Sequence, residues 1–262
     1  MKFMYAGIFS STVLLVACVT SPETGRRQLN LVSDSEMNAM GEQAYKEMLG
    51  KAKVSKNPQL NSEIVNVGKR IAAATGVSYD WEFTIIDENQ VNAFCLPGGK
   101  VAVYTALIPV AKNNAALAAV LGHEVAHAVL RHSAERMSQQ MVMNQGMQIA
   151  GALFSGSQHK DLIAAAMGIG ANYGVALPFG RYEEAEADRV GLEYMAKAGY
   201  DPREAIGLWE RMGAMSGSRP PEILSTHPDP VNRAKDLSKH MDKALALYNA
   251  AQKQPTAQLA KP

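Results

Sequence analysis

The feature that most constrains this chain is His123-Glu124-Val125-Ala126-His127, set in a stretch beyond Asn113-Asn114 that is rich in Ala, Leu and Val and lacks glycine until Gly122. Such a run predicts a helix through about His132, with an extension through Glu135 to Gln148 left open. On a helix, residues four apart stand one turn apart on one face, so the imidazoles of His123 and His127 can converge on a metal about 2 Å from each nitrogen. Glu124 points to the side of that face. Its carboxylate can take a proton from water that a metal such as zinc has acidified, while hydroxide attacks a carbonyl. The alternative reading, a helix with incidental histidines, asks two of only six histidines to fall in register with a glutamate by chance.

Two histidines do not complete a catalytic site, which usually keeps three protein ligands and one open position. A second helix is predicted from near Tyr182, where Arg181-Tyr-Glu-Glu-Ala-Glu-Ala-Asp188 crowds four acids together. Glu184 and Asp188 fall one turn apart. One can bind the metal while the other accepts a hydrogen bond from a ligating imidazole and fixes its tautomer, and spacing alone leaves open which does which. Glu183, Glu186 and Glu193 read as a solvated face, and His132, His159 and His240 as surface residues. The methionines at 137, 141, 143 and 147 read as a helix face against the core.

The order His-Glu-x-x-His, then Glu184-Ala-Glu-Ala-Asp188, resembles the M48 zinc metallopeptidases, which are gluzincins, and most of all their small bacterial lipoprotein members. The likeness runs from about Asp34 to Asp236 and includes Asn92-Ala-Phe-Cys-Leu-Pro-Gly-Gly99, where Cys95 replaces a usual alanine. It implies an α+β fold, mainly helical, with a small β-sheet over the active-site helix. It further implies one Zn2+ held by His123, His127 and Glu184, Glu124 as the base, and Asp188 as the acid that orients a ligand or donates a proton. The segment Asn92, Ala93, Phe94 would be an edge strand that pairs with an extended substrate, or only a buried hairpin arm. Ser225-Thr226-His227-Pro228 resembles a late motif of the family. His227 would then cap the metal in a resting state or stabilise an oxyanion, or be a loop histidine packed before a proline.

Place is written at the N-terminus. Residues 1–17 read as a signal peptide ending in Leu15-Val16-Ala17-Cys18, which resembles a lipobox, so Cys18 would carry the lipid that holds the protein to a membrane. Val19 stands where the lipoprotein resemblance would require aspartate for retention in the inner membrane, so the resemblance implies the periplasmic face of the bacterial outer membrane. With Cys18 acylated, Cys95 has no intramolecular partner. A balance of 26 basic against 25 acidic residues argues against nucleic acid as a partner.

Residues 18–33 are expected to be a lipid-anchored tether, 34–243 the metallopeptidase domain, and 244–262 a flexible tail. Within the domain, Ser33 or Ser35 would cap a helix with Met37, Met40, Ala44, Met48 and Leu49 at helical spacing. Pro58 to Ala74 would bury Leu60, Ile64, Val67 and Ile71. Trp81 to Ile86 and Lys100 to Thr105 alternate as strands, the latter joined to Gln90–Leu96 by a turn at Pro97-Gly98-Gly99. The glycine-rich stretch 151–180 reads as a cover over a cleft or, less simply, as a membrane segment. Together these residues point to zinc-dependent endopeptidase action on misfolded or unassembled envelope proteins, with outer-membrane assembly machinery as a partner. The second reading is a latent zinc-bound chaperone-like factor with little proteolysis.

Overall fold

The computed structural model describes residues 18–154, 177–215, 223 and 230–262. The signal peptide, His159, His227 and most of the glycine-rich stretch lie outside these residues. The chain divides into two compact units, one of residues up to Met37 with Leu130–Gly180, the other of Asn38–Val129 with Arg181–Pro262.

In the first unit, β1 (Cys18–Thr20) pairs antiparallel with β2 (Arg27–Leu29), so the expected tether is partly folded. Its anchors are polar and long-range, which is why a stretch without hydrophobic period gave no sign of them. Arg26 makes a two-pronged ion pair with Glu135 at 2.6 and 2.7 Å, and Gln28 Nε2 donates to the Leu130 carbonyl at 2.8 Å. Helix α1 (Asp34–Leu49) opens on a capping box. The Glu36 amide donates to Ser33 Oγ and the Ser33 amide donates to the Glu36 carboxylate. The buried stripe along α1 is Met37, Gly41 and Tyr45 rather than the methionine-led one, and Met40 is 48% exposed. Tyr45 turns inward because its hydroxyl donates to Thr84 Oγ1 at 2.6 Å.

The second unit is built on a mixed three-stranded sheet of order β3-β5-β4, with β3 (Glu82–Ile86), β4 (Ala93–Leu96) and β5 (Lys100–Tyr104). Strand β5 runs parallel to β3 and antiparallel to β4, and Val101, Ala102 and Val103 are fully buried at its centre. The β4–β5 turn uses Gly98 and Gly99 at φ +82° and +84°, a backbone that L side chains rarely adopt. Strand β4 is left at the edge.

Helix α2 (Pro58–Thr75) starts as read, with Asn57 Oδ1 accepting from the Leu60 amide and proline in the first turn, and it buries Leu60, Ile64, Val67 and Ile71. After the short α3 (Ile108–Ala111) comes α4 (Asn114–Val129), whose residues from Ala115 to Ala128 are all buried. A helix apolar all round belongs in a core. Leu117, Val120, Leu121 and Val125 are fully covered, each contributing about 1.5–3 kcal/mol. The helix stops at Arg131, where φ is +60°, and α5 (His132–Phe154) begins as a separate element. Along α5 the methionine face is not a core face in the described part. Met141 is exposed, while His132, Ala134, Glu135 and Ser138 are buried.

Helices α6 (Leu177–Lys197), α7 (Arg203–Ala214) and α8 (Pro230–Ala250) complete the unit. The expected flexible tail is ordered. Its first part belongs to α8, with Ala244 fully buried. The rest is a strap whose backbone is satisfied by the core. The Asn114 amide donates to the Ala257 carbonyl at 3.0 Å, the Leu259 amide to the Lys112 carbonyl at 3.2 Å, and the Ala260 amide to Glu63. The strap thereby supplies acceptors that the start of α4 lacks. Its polar composition concealed this because the bonds are made by backbone.

Candidate metal centre

What brings the sequence motifs together is a glycine pair. A Cβ on Gly191 of α6 would stand 2.7 Å from the backbone of Gly122 and His123, and one on Gly122 would stand 2.6 Å from the Gly191 carbonyl oxygen. With no side chains between them, α4 and α6 cross in backbone contact. The faces carrying His123 and His127 on one and Glu184 and Asp188 on the other are thus set side by side.

The Nε2 atoms of His123 and His127 are 3.1 Å apart. Glu184 offers Oε2 at 3.3 Å from His123 Nε2 and Oε1 at 3.3 Å from His127 Nε2. Ligands about 2.0–2.1 Å from a tetrahedral Zn2+ stand about 3.3 Å from one another, so the three groups have the mutual spacing that such an ion requires. All three are buried. His123 Nδ1 lies 2.9 Å from Asp188 Oδ1, and donation there would turn the Nε2 lone pair toward a cation; in the metal-free arrangement Arg233 Nη2 stands 3.0 Å from that Nε2 and 2.9 Å from Nδ1.

Charge supports the same assignment. Burial disfavours a charged His123 and Arg233 repels it, yet the hydrogen bonds that the ring donates to Asp188 and Glu184 outweigh both and raise it to about 9. Burial likewise opposes ionisation of Asp188, but the charge and hydrogen bonds of Arg233 and His123 hold its carboxyl down at about 2. A site that draws a proton onto a buried imidazole draws a metal cation for the same reason. Glu124, next to His123, is 3% exposed. Its negative charge reaches across to β4, where it adds to burial in pushing the Cys95 thiol well up. The edge strand therefore lies beside Glu124.

Of the residues expected on that strand, Ala93 is buried, Phe94 is half-buried with its ring 6.3 Å from that of Tyr104, and Asn92 folds Oδ1 back onto the Ala93 amide. Its carbonyl accepts from the Tyr104 amide, continuing the pairing with β5. The acids read as solvated behave otherwise. Glu183 and Glu186 are buried, because α6 is covered on nearly every side, and Glu193 is half-buried and pairs with Lys243 at 2.6 Å.

Two residues here had escaped notice. Arg233 of α8 reaches Asp188 through Nε–Oδ2 at 2.8 Å and Nη2–Oδ1 at 2.5 Å, and its Nη1 is 3.4 Å from Glu184. Trp209 of α7 lies under its guanidinium. A signal was available for the arginine, since it falls in register with Leu237 and Ala244 on the apolar stripe of its helix.

The profile of peptidase family M48 matches residues 58–241. The mitochondrial metalloendopeptidase OMA1 of Schizosaccharomyces pombe is 36% identical over 229 residues, covering 85% of this chain and 66% of that protein. The protein of the same name in Arabidopsis thaliana is 38% identical over 186 residues, covering 66% of this chain and 34% of its own. The β-barrel assembly-enhancing protease of Escherichia coli O157:H7 is 29% identical over 268 residues, covering 92% of this chain and 54% of its own. The chain thus spans between about a third and two thirds of these relatives' lengths.

Proposed function

The chain belongs to peptidase family M48, and on that premise we propose that it is a zinc-dependent endopeptidase whose metal is held by His123, His127 and Glu184. The observation that carries this is the convergence of those three side chains, buried and one ligand spacing apart, with Glu124 on the next position of the same helix. When bound, Zn2+ supplies a Lewis acid that acidifies water toward neutrality and polarises a carbonyl. Everything else is done by side chains. The Glu124 carboxylate accepts the proton of the attacking water and returns it to the departing amide nitrogen. Asp188 Oδ1 keeps His123 in the Nδ1–H tautomer. The edge of β4 away from β5, just before which the Ile223 amide donates to the Val91 carbonyl at 3.3 Å, would offer backbone donors and acceptors to an extended polypeptide, so recognition depends on an unfolded backbone more than on side-chain identity.

This chain's own features support a reading of substrates and address. Recognition by strand addition suits misfolded or unassembled proteins, and the name of the E. coli relative associates that protein with β-barrel assembly. The lipobox-like Leu15-Val16-Ala17-Cys18 supports a lipid anchor at the periplasmic face of the outer membrane, where assembly machinery would be a partner. The mitochondrial names of the other relatives are theirs. Among the described residues no helix is long and apolar enough to cross a membrane.

The test is digestion of unfolded casein by the zinc-loaded chain beside Glu124→Gln, with zinc measured on both. The reading requires about one zinc per chain in each and cleavage by the parent alone. Cleavage by both, or zinc in neither, overturns it. Cys18→Ser should release the protein from membranes, and retention of that variant would remove the anchor.

A further inference from the structure

The relay from Trp209 through Arg233 to Asp188 ends on the ring that would bind the metal, and Arg233 also meets that ring directly, its Nη2 2.9 Å from His123 Nδ1 and 3.0 Å from Nε2. We propose that Trp209 and Arg233 act as one positioning unit that fixes Asp188 and, through it, the metal-binding orientation of His123. The inference rests on the reading that His123, His127 and Glu184 hold zinc.

The geometry leaves Asp188 little freedom. Its two oxygens each receive one arm of the Arg233 fork, at 2.8 and 2.5 Å, and Oδ1 also receives His123 Nδ1 at 2.9 Å. A carboxylate gripped at both oxygens cannot turn about its terminal bond, so the acceptor for His123 has one location. Arginine is itself a long side chain that must be held. The Trp209 ring holds it, with the guanidinium carbon 3.6 Å from the ring centroid. The same ring stands edge-on to His123, with centroids 5.9 Å apart and planes at 72°. Trp209 therefore touches both ends of the relay and sets the spacing between them. Both residues are buried, and α7 packs against both α4 and α8.

Geometry also says what a substitute would lack. Lysine at 233 returns the charge but neither the two-pronged grip nor the flat surface that stacks on indole. If the arginine only balanced buried charge, lysine would serve; if it positions Asp188, lysine fails.

The experiment is zinc affinity by chelator competition on the full chain and on Arg233→Lys, Trp209→Phe and Trp209→Leu, with metal-free urea unfolding of each as the check on folding. Losses of outer partners of ligating histidines set the expected scale. Arg233→Lys should bind zinc about 10- to 100-fold more weakly, Trp209→Leu should approach that loss, and Trp209→Phe, which keeps an aromatic face, should lose less. A spectroscopic readout separates positioning from bulk stability. Long-range proton–nitrogen NMR of His123 in the zinc-loaded parent should show Nδ1–H alone, and in Arg233→Lys a mixture of ring orientations. Parent and Arg233→Lys binding zinc equally tightly, with one His123 tautomer in both, would overturn the relay and leave the metal reading intact. A parent that takes up no zinc would overturn the metal reading and leave the relay nothing to position. Should Arg233→Lys fail to fold, the Trp209 pair decides: Trp209→Leu equal to the parent in zinc affinity refutes the proposal.

Discussion

Two clusters in the second unit set a basic side chain among acids, and they are built on opposite terms. At the start of β5, Lys100 Nζ is buried while its acids face water. Glu42 lies at 3.1 Å, Asp80 at 2.9 Å with its side chain 90% exposed, and Glu82 donates nothing but accepts a further bond from the same nitrogen. At the helix crossing, Glu184 and Asp188 are buried against Arg233, and Glu124 is buried on the neighbouring helix α4. Acids in water need no fixed counter-charge, because solvent screens them. Acids taken out of water do, and in the metal-free protein the Arg233 guanidinium and the proton that His123 draws supply it, a proton that a divalent cation would replace. The first cluster fastens a turn; the second brings together three buried groups able to hold a metal ion.

The largest effect should come from removing a ligand. His127→Ala or Glu184→Ala is expected to reduce bound zinc from about one per chain to near zero, measured by elemental analysis, and to abolish cleavage, whereas Lys100→Met should leave zinc unchanged. Next comes the crossing itself. Gly191→Ala forces the α4 and α6 backbones apart and should cost about 1–3 kcal/mol in urea unfolding, with weaker zinc binding as well. An alanine there that left both untouched would separate the glycine contact from the site.

Acidity sharpens the comparison further. In the metal-free protein His123 is raised from 6.5 to about 9, so the protonated ring stabilises the fold fully below pH 6.5 and that contribution is lost as pH rises through 9. Metal needs the neutral ring. Competition titrations should therefore show zinc affinity rising with pH, by up to about tenfold per unit from displacement of this one proton, and this dependence should fade above pH 9. An affinity flat between pH 7 and 9 would contradict the assignment of that proton. The smallest effect is expected of Lys100→Met, about 1 kcal/mol or less in urea unfolding, since its acids return to water.

Much of this was legible because it is local. The His123–His127 helix, the Glu184 and Asp188 pair one turn apart, the Gly98-Gly99 turn and the buried stripe of α2 all follow from spacing within one element. What was not legible depends on a neighbour. His132, Glu183 and Glu186 are polar residues that other elements cover, and no periodicity in their own helices announces it. Arg233 meets Asp188 across 45 positions of sequence. Gly122 and Gly191 show their purpose only when the two helices are in contact. The C-terminal strap is held by backbone bonds and the β1–β2 pair by side-chain partners more than 100 positions away, neither of which composition records.

If His123, His127 and Glu184 hold zinc, X-ray absorption at the zinc edge of the loaded protein sees them as its nearest neighbours. The expected spectrum is a four-coordinate shell of nitrogen and oxygen at about 2.0–2.2 Å, with two imidazole signatures in the parent and one in His127→Ala if any zinc is retained. A sulfur ligand at about 2.3 Å, or a shell unchanged by His127→Ala at full zinc content, would contradict it.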